Sequence, residues 1–117
     1  MIQTVLGPVD EQALGYTLAH EHMLLLNAQM RLAVPEWFNE EAYFARTLPR
    51  IERLRKAGVD AVIDATPLNL GRDARILAEL SRRSGLAIIA STGLYFFEDP
   101  VVRSPDPQRL ADLFVRE

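Results

Sequence analysis

Two short apolar runs set the tightest limit on what this chain can become: Asp60-Ala-Val-Ile-Asp-Ala65 and Leu86 to Ser91. A strand that is hydrophobic without alternation is covered on both faces, as in a parallel sheet packed under helices. Helix signals surround each run. Asn39 offers an N-cap, and Glu40 and Glu41 put acids in the first turn, where the helix dipole favours them. The helical pattern continues to Ala57 with Leu48, Ile51 and Leu54 on one side, and Gly58 closes it at C′. Pro49, in the middle, must kink this helix or open a second one. Between the two runs a helix is expected from about Arg72 to Ser84. Its apolar stripe is Ile76, Leu77 and Leu80, with Arg82 and Arg83 in the last turn and Gly85 as the stop. A last helix starts near Pro107 and is still running at Glu117.

Ahead of these elements, Ile2 to Leu6 meets Gly7-Pro8 and suggests a small hairpin, followed by a short turn at Asp10-Glu11-Gln12. Tyr16 to His22 is then the first strong strand. The order strand–helix, three times over, predicts an α/β fold of parallel strands with right-handed crossovers. Two closures satisfy it, an open doubly wound sheet or part of a (β/α)8 barrel. No G-x-G-x-x-G and no G-x-x-x-x-G-K-[ST] is present, so nucleotide binding has no support. Met23 to Phe38 shows no clear period. It is expected as a long loop that lines a site, or one whose Trp37 and Phe38 merely anchor it.

Composition narrows the function classes. Hydrophobic content of 49% and charged content of 25% belong to a globular protein with a core. A net charge of −3 gives no reason to expect nucleic acid or an acidic membrane as partner. Without cysteine there is neither a disulfide framework nor a thiolate zinc site. Nothing reads as a signal peptide or a transmembrane helix, so a cytoplasmic location is expected.

The chain's two histidines, His20 and His22, stand two apart at the end of the first strand. Residues i and i+2 of a strand share a face, so both imidazoles project side by side, with Leu18 and Tyr16 beside them. On a helix the pair would diverge. A strand-borne His-x-His is a two-nitrogen claw that zinc, manganese or cobalt accepts. The alternative is one buried, hydrogen-bonded histidine and one solvated neighbour. Glu21 falls on the opposite face, where an ion pair with a helix arginine is expected ahead of a role in orienting a ligand. In a barrel, chemistry gathers at the C-terminal ends of the strands. His22, Asp64-Ala-Thr66 and Thr92-Gly-Leu-Tyr95 all fall there.

Thr4-Val-Leu-Gly-Pro-Val9, Thr17-Leu-Ala-His-Glu-His22, Gly58 to Pro67, Gly71-Arg-Asp73 and Ser91-Thr-Gly-Leu-Tyr95 occur in order along nearly the whole chain. Together they resemble the N-terminal portion of phosphotriesterase-family proteins, which include aryldialkylphosphatases and phosphotriesterase-like lactonases of the amidohydrolase superfamily. The resemblance implies a (β/α)8 barrel whose first three βα units are residues 1–117, preceded by the hairpin. It also implies two divalent metals, usually zinc, with His20 and His22 as ligands of the more buried one and Tyr95 beside the substrate pocket. The implied activity is hydrolysis of phosphotriesters or lactones by a metal-bridging hydroxide, in a homo-oligomeric protein.

The same resemblance implies a carboxylated lysine from the fourth strand, two histidines from the fifth and sixth, and an aspartate from the eighth. None of these is expected within residues 1–117; the one lysine, Lys56, belongs to a helix end. Such a barrel needs about 250 residues. The chain is therefore expected to be the front part of a longer enzyme or to be completed by a second chain, and to be inactive alone. The competing reading is a non-catalytic fragment or assembly module that keeps the histidines without turnover.

Overall fold

A computed structural model describes residues 1–95, 103 and 106–116. Strands β1 (Ile2–Thr4) and β2 (Gly7–Val9) form the expected antiparallel hairpin. Its Val5 N–H donates to the Ile88 carbonyl at 2.9 Å, tying the hairpin to the main sheet. That sheet has three strands, β3 (Thr17–Glu21), β4 (Ala61–Asp64) and β5 (Ala87–Ala90), parallel and in sequence order. Helix α2 (Glu40–Lys56) connects β3 to β4, and α3 (Ala74–Ser84) connects β4 to β5. Helix α4 (Pro107–Arg116) follows. A parallel sheet alternating with helices is the architecture of a partial (β/α)8 barrel.

The Asn39 cap expected from the sequence is present, and Asp73 plays the same part for α3. Asn39 accepts from the Ala42 N–H and Asp73 from the Ile76 N–H, so each helix begins on a side-chain cap. The α2 helix passes through Pro49 as one element and opens no second helix there. Both Pro49 and Ala45, whose carbonyl would otherwise be paired, are exposed, so water can meet the freed oxygen. The stretch from Met23 to Phe38 departs from expectation, because it contains helix α1 (Ala28–Ala33) and a 3-10 turn at Pro35–Trp37. Asn27 caps α1 through the Met30 N–H. Six residues are too few for a periodic stripe to show.

The core lies between the sheet and its helices. Val62 and Ile88 from the strands meet Ile51, Ile76, Leu77 and Leu80 from α2 and α3, and all are essentially buried. Their burial removes water from one face of the sheet only. On the other face Ile63 and Ile89 are half-buried, while Ala19 and His20 are exposed.

Gly71 shows why the turn before α3 needs a glycine. Its φ is +85°, and an added Cβ would sit 2.2 Å from the Leu26 backbone oxygen. Leu26 in turn donates its N–H to the Leu70 carbonyl at 3.1 Å, so the loop after β3 is fastened to the loop after β4 at this point.

Candidate functional site

The direction of His20 and His22 is set by an irregularity in β3. Leu18 pairs with Val62, but Glu21 pairs with Asp64, so β3 uses three steps where β4 uses two. One extra residue in a strand is a β-bulge, and it reverses the facing of everything beyond it. Leu18 therefore packs with Val62 against the helices. Glu21 is registered with Asp64 on that same side, and its neighbours His20 and His22 turn to the open face. The sequence reading that put Leu18 on the histidines' face is corrected by this bulge. Glu21 also lacks the expected arginine: it has no ion pair among the described residues.

The two imidazoles do come together. Their ring centroids are 5.3 Å apart and their planes cross at 80°. Both side chains are exposed, and so reachable by a ligand. His22 is further fixed by a 3.0 Å hydrogen bond between its Nδ1 and the Thr66 hydroxyl. Thr66 is fully buried. Its N–H donates to Asp64 Oδ1 at 2.8 Å, and its carbonyl accepts from the Ser91 hydroxyl at 3.3 Å. Sequence reasoning places Asp64-Ala-Thr66 on the rim where chemistry gathers, but without a contact to either histidine. The clue was a carboxylate two residues before a threonine, the spacing of a side-chain turn.

Asp64 itself is a poor partner for the histidines. It is fully buried on the helix side, and its Oδ2 has no hydrogen-bond partner among the described residues. Among the described residues no third His, Asp or Glu joins the pair to make a set of three. The residues present thus fit part of a metal site: two imidazole nitrogen donors, one already hydrogen-bonded through its other ring nitrogen, the arrangement typical of a ligating histidine. Lys56, at the end of α2, is exposed and paired with Glu52 at 2.7 Å.

Tyr95 stands in the loop beyond β5, at the same edge of the sheet, and is 47% exposed. Its N–H donates to Asn69 Oδ1 at 2.6 Å. Leu68 N–H donates to the Gly93 carbonyl, and Arg72 Nη1 to the Ser91 carbonyl, so the second and third loops are knitted together. The sequence from Thr92 to Phe97 reads as the start of a loop rich in aromatics and broken by Pro100 and Pro105; of these, Phe96, Phe97, Pro100 and Pro105 lie outside the described residues.

Behind the site, the buried Tyr43 hydroxyl of α2 donates to the Met23 carbonyl at 2.8 Å, holding the chain just after His22. Burial pushes this phenol up to about 12. Arg31 of α1 meets Asp73 at 2.7 Å and lies over the Phe38 ring. Partial burial draws the Asp73 carboxyl upward, but the hydrogen bonds from Arg31 and the Ile76 N–H outweigh it, and the net shift is downward. No helix among the described residues is long and apolar enough to cross a membrane.

Comparison with known proteins agrees with this architecture. The phosphotriesterase family model matches residues 1–117. A phosphotriesterase homology protein of Mycobacterium tuberculosis is 32% identical over 126 residues, covering 99% of this chain and 39% of that protein. An aryldialkylphosphatase of Saccharolobus solfataricus is 30% identical over 93% of this chain and 35% of its own length. An N-acetyltaurine hydrolase of Tetraodon nigroviridis is 31% identical over 99% of this chain and 42% of its own length. The chain spans about two fifths of the curated relatives it matches. Relatives named for hydrolysis support a hydrolase family, and the match runs the full length of the sequence: this chain belongs to the phosphotriesterase family.

Proposed function

We propose that the protein is a metal-dependent hydrolase of phosphotriesters or lactones, and that this chain supplies the first two ligands of its metal centre. The observation that carries the reading is the turning of His20 and His22 together onto the open face of the sheet at its C-terminal edge. Two divalent cations, zinc first and manganese or cobalt as alternatives, are the group such a pair helps to hold. When bound they lower the pKa of water and polarise the oxygen of a phosphoryl or carbonyl group. The other ligands belong to the remainder of the barrel, contributed by further chain or by a second polypeptide. A homo-oligomer in the cytoplasm is the working form proposed.

The chain's own residues do the positioning. His20 and His22 stand side by side on the open face, and the loop linkages through Gly93, Asn69 and Ser91 hold the edge around them. Tyr95, half-exposed on this edge, offers an aromatic wall for the apolar substituent of a substrate. The relatives' names cover a phosphate ester and an N-acyl amide, so an activated phosphotriester, a lactone and an N-acyl amide form the substrate panel.

The test is elemental analysis of the full protein with His20→Ala and His22→Ala together. Metal content should fall and turnover of the whole panel should disappear. Unchanged metal stoichiometry would refute the assignment of these two ligands.

A further inference from the structure

The two histidines are not equivalent in their surroundings. His22 Nδ1 lies 3.0 Å from Thr66 Oγ1, whereas no hydrogen bond reaches the His20 ring among the described residues. Thr66 is held from three strand ends at once. Its hydroxyl meets His22 after β3, its N–H is bound by Asp64 at the end of β4, and its carbonyl is met by Ser91 after β5. The Ser91 N–H also donates to the Asp64 carbonyl, and the Ala65 N–H to the Glu21 carbonyl, at 3.0 and 2.8 Å. A fully buried threonine so anchored has little freedom to follow a moving imidazole; the imidazole must adapt to it.

We infer that Thr66 is the positioning residue for His22, with Asp64 as the anchor that holds Thr66 in place. The inference rests on the metal-centre reading and deepens it. A neutral imidazole has one N–H and one lone pair, and a metal needs the lone pair. With the proton on Nδ1 donated to Thr66 Oγ1, the lone pair is on Nε2, the nitrogen left available for a ligand. The reverse tautomer, with Thr66 donating to Nδ1, would place a proton on Nε2 and block it. In the proposed tautomer Thr66 holds the ring orientation before metal arrives, and His20 is the ligand that adjusts. Asp64, buried and turned toward the helices, acts on the site only through this link.

Packing and positioning predict opposite outcomes for two small substitutions. Thr66→Val keeps the volume and removes the hydroxyl; Thr66→Ser keeps the hydroxyl and removes a methyl. In the full protein, zinc affinity measured by competition with a chromophoric chelator should fall about 10- to 100-fold in the valine variant. It should stay within about threefold of the parent in the serine variant. Tight zinc binding in the valine variant with weak binding in the serine variant would make Thr66 an ordinary core residue and overturn the inference.

A second measurement does not depend on either variant folding. In the metal-free parent protein, long-range proton–nitrogen correlation spectra should show His22 protonated at Nδ1. A dominant Nε2–H tautomer would overturn the inference as surely. The controls separate this claim from the one beneath it. If His20→Ala with His22→Ala lowers zinc content but Thr66→Val does not, the metal centre stands and the role of Thr66 falls. If the histidine variant leaves zinc content unchanged, the metal centre itself falls, whatever tautomer His22 adopts.

Discussion

The two faces of the central sheet are built from the same three strands and have little else in common. On the helix face Val62 and Ile88 are sealed against Ile76, Leu77 and Leu80, out of reach of solvent and with few polar groups. On the other face Ile63 and Ile89 are half-covered, and beyond them stand His20 and His22 in the open. The helix face accounts for the cohesion of these residues, since burying one such aliphatic side chain is worth about 1.5–3 kcal/mol. The open face contributes less to cohesion and carries the groups capable of chemistry. One strand serves both purposes because its extra residue lets Leu18 face inward to the core and His20 face away from it. Chemistry and stability should therefore separate when side chains are changed on one face at a time.

The sharpest test of that separation is one cut on each face. Replacing His20 and His22 together by alanine trims only exposed side chains of the open face. Metal binding should be lost, while the metal-free variant should stay within about 0.5 kcal/mol of the metal-free parent, as exposed substitutions do. Leu80→Ala is the comparison. It should cost about 2–5 kcal/mol of stability through the cavity it leaves, yet keep metal stoichiometry in the fraction that remains folded. Denaturant unfolding and metal analysis on both variants check this. A histidine variant that unfolds as readily as the Leu80 variant would mean that the two faces are not separable.

How far each face was legible follows from the same contrast. The helix face was readable because burial imposes a pattern: apolar runs for β4 and β5, and stripes such as Ile76, Leu77 and Leu80 for α3. The cap at Asn39 fixed the start of α2 by local chemistry, while the Asp73 cap sets the start of α3 two residues beyond the expected Arg72. The open face was readable only in part. The histidine pair was visible from its spacing, but a bulge adds a residue without changing composition, so Leu18 was assigned to the wrong side. Helix α1 was missed although Asn27 was its signal, since a six-residue helix among apolar neighbours leaves no period to find. The role of Thr66 depends on contacts 44 residues apart in the chain, which no local pattern encodes.

An intermediate effect is expected where the two faces are joined. The Tyr43 hydroxyl reaches from the helix layer to the Met23 carbonyl, directly after His22. Tyr43→Phe keeps the ring in the core and removes the hydroxyl, with its bond to the Met23 carbonyl and its contact with Thr47, at a cost of about 0.5–1.5 kcal/mol per hydrogen bond. The phenol also adds a pH dependence. Its folded pKa is raised, to about 12, so the neutral form is favoured in the folded state. The stability it contributes is complete below its unfolded value near 10 and is lost as pH rises from there through 12. Thermal unfolding of parent and variant should differ at neutral pH and converge in strong alkali. A difference that stays constant to the highest pH would mean the phenol does not titrate with unfolding.

The smallest expected effect lies where neither face is involved, at the ion pair that fastens α1 to the start of α3. Arg31 and Asp73 approach to 2.7 Å with side chains 29% and 20% exposed. Asp73 also caps α3, so Asp73→Asn is the informative change: asparagine caps as well as aspartate, and only the charge is removed. Partly exposed pairs contribute up to about 1 kcal/mol, and salt screens them. The Asp73 pKa is lowered on balance, so the carboxylate is favoured in the folded state. Its contribution is present above the ordinary carboxyl range and disappears as pH falls through the folded value. Parent and variant should thus differ slightly in melting temperature at neutral pH and low salt, then converge both in acid and at high salt. Metal content should be unchanged throughout, because the pair holds the outer end of the loop and not the histidines. A gap that persists in acid would locate the effect in the shape of the cap, and a fall in metal content would show that α1 reaches the site.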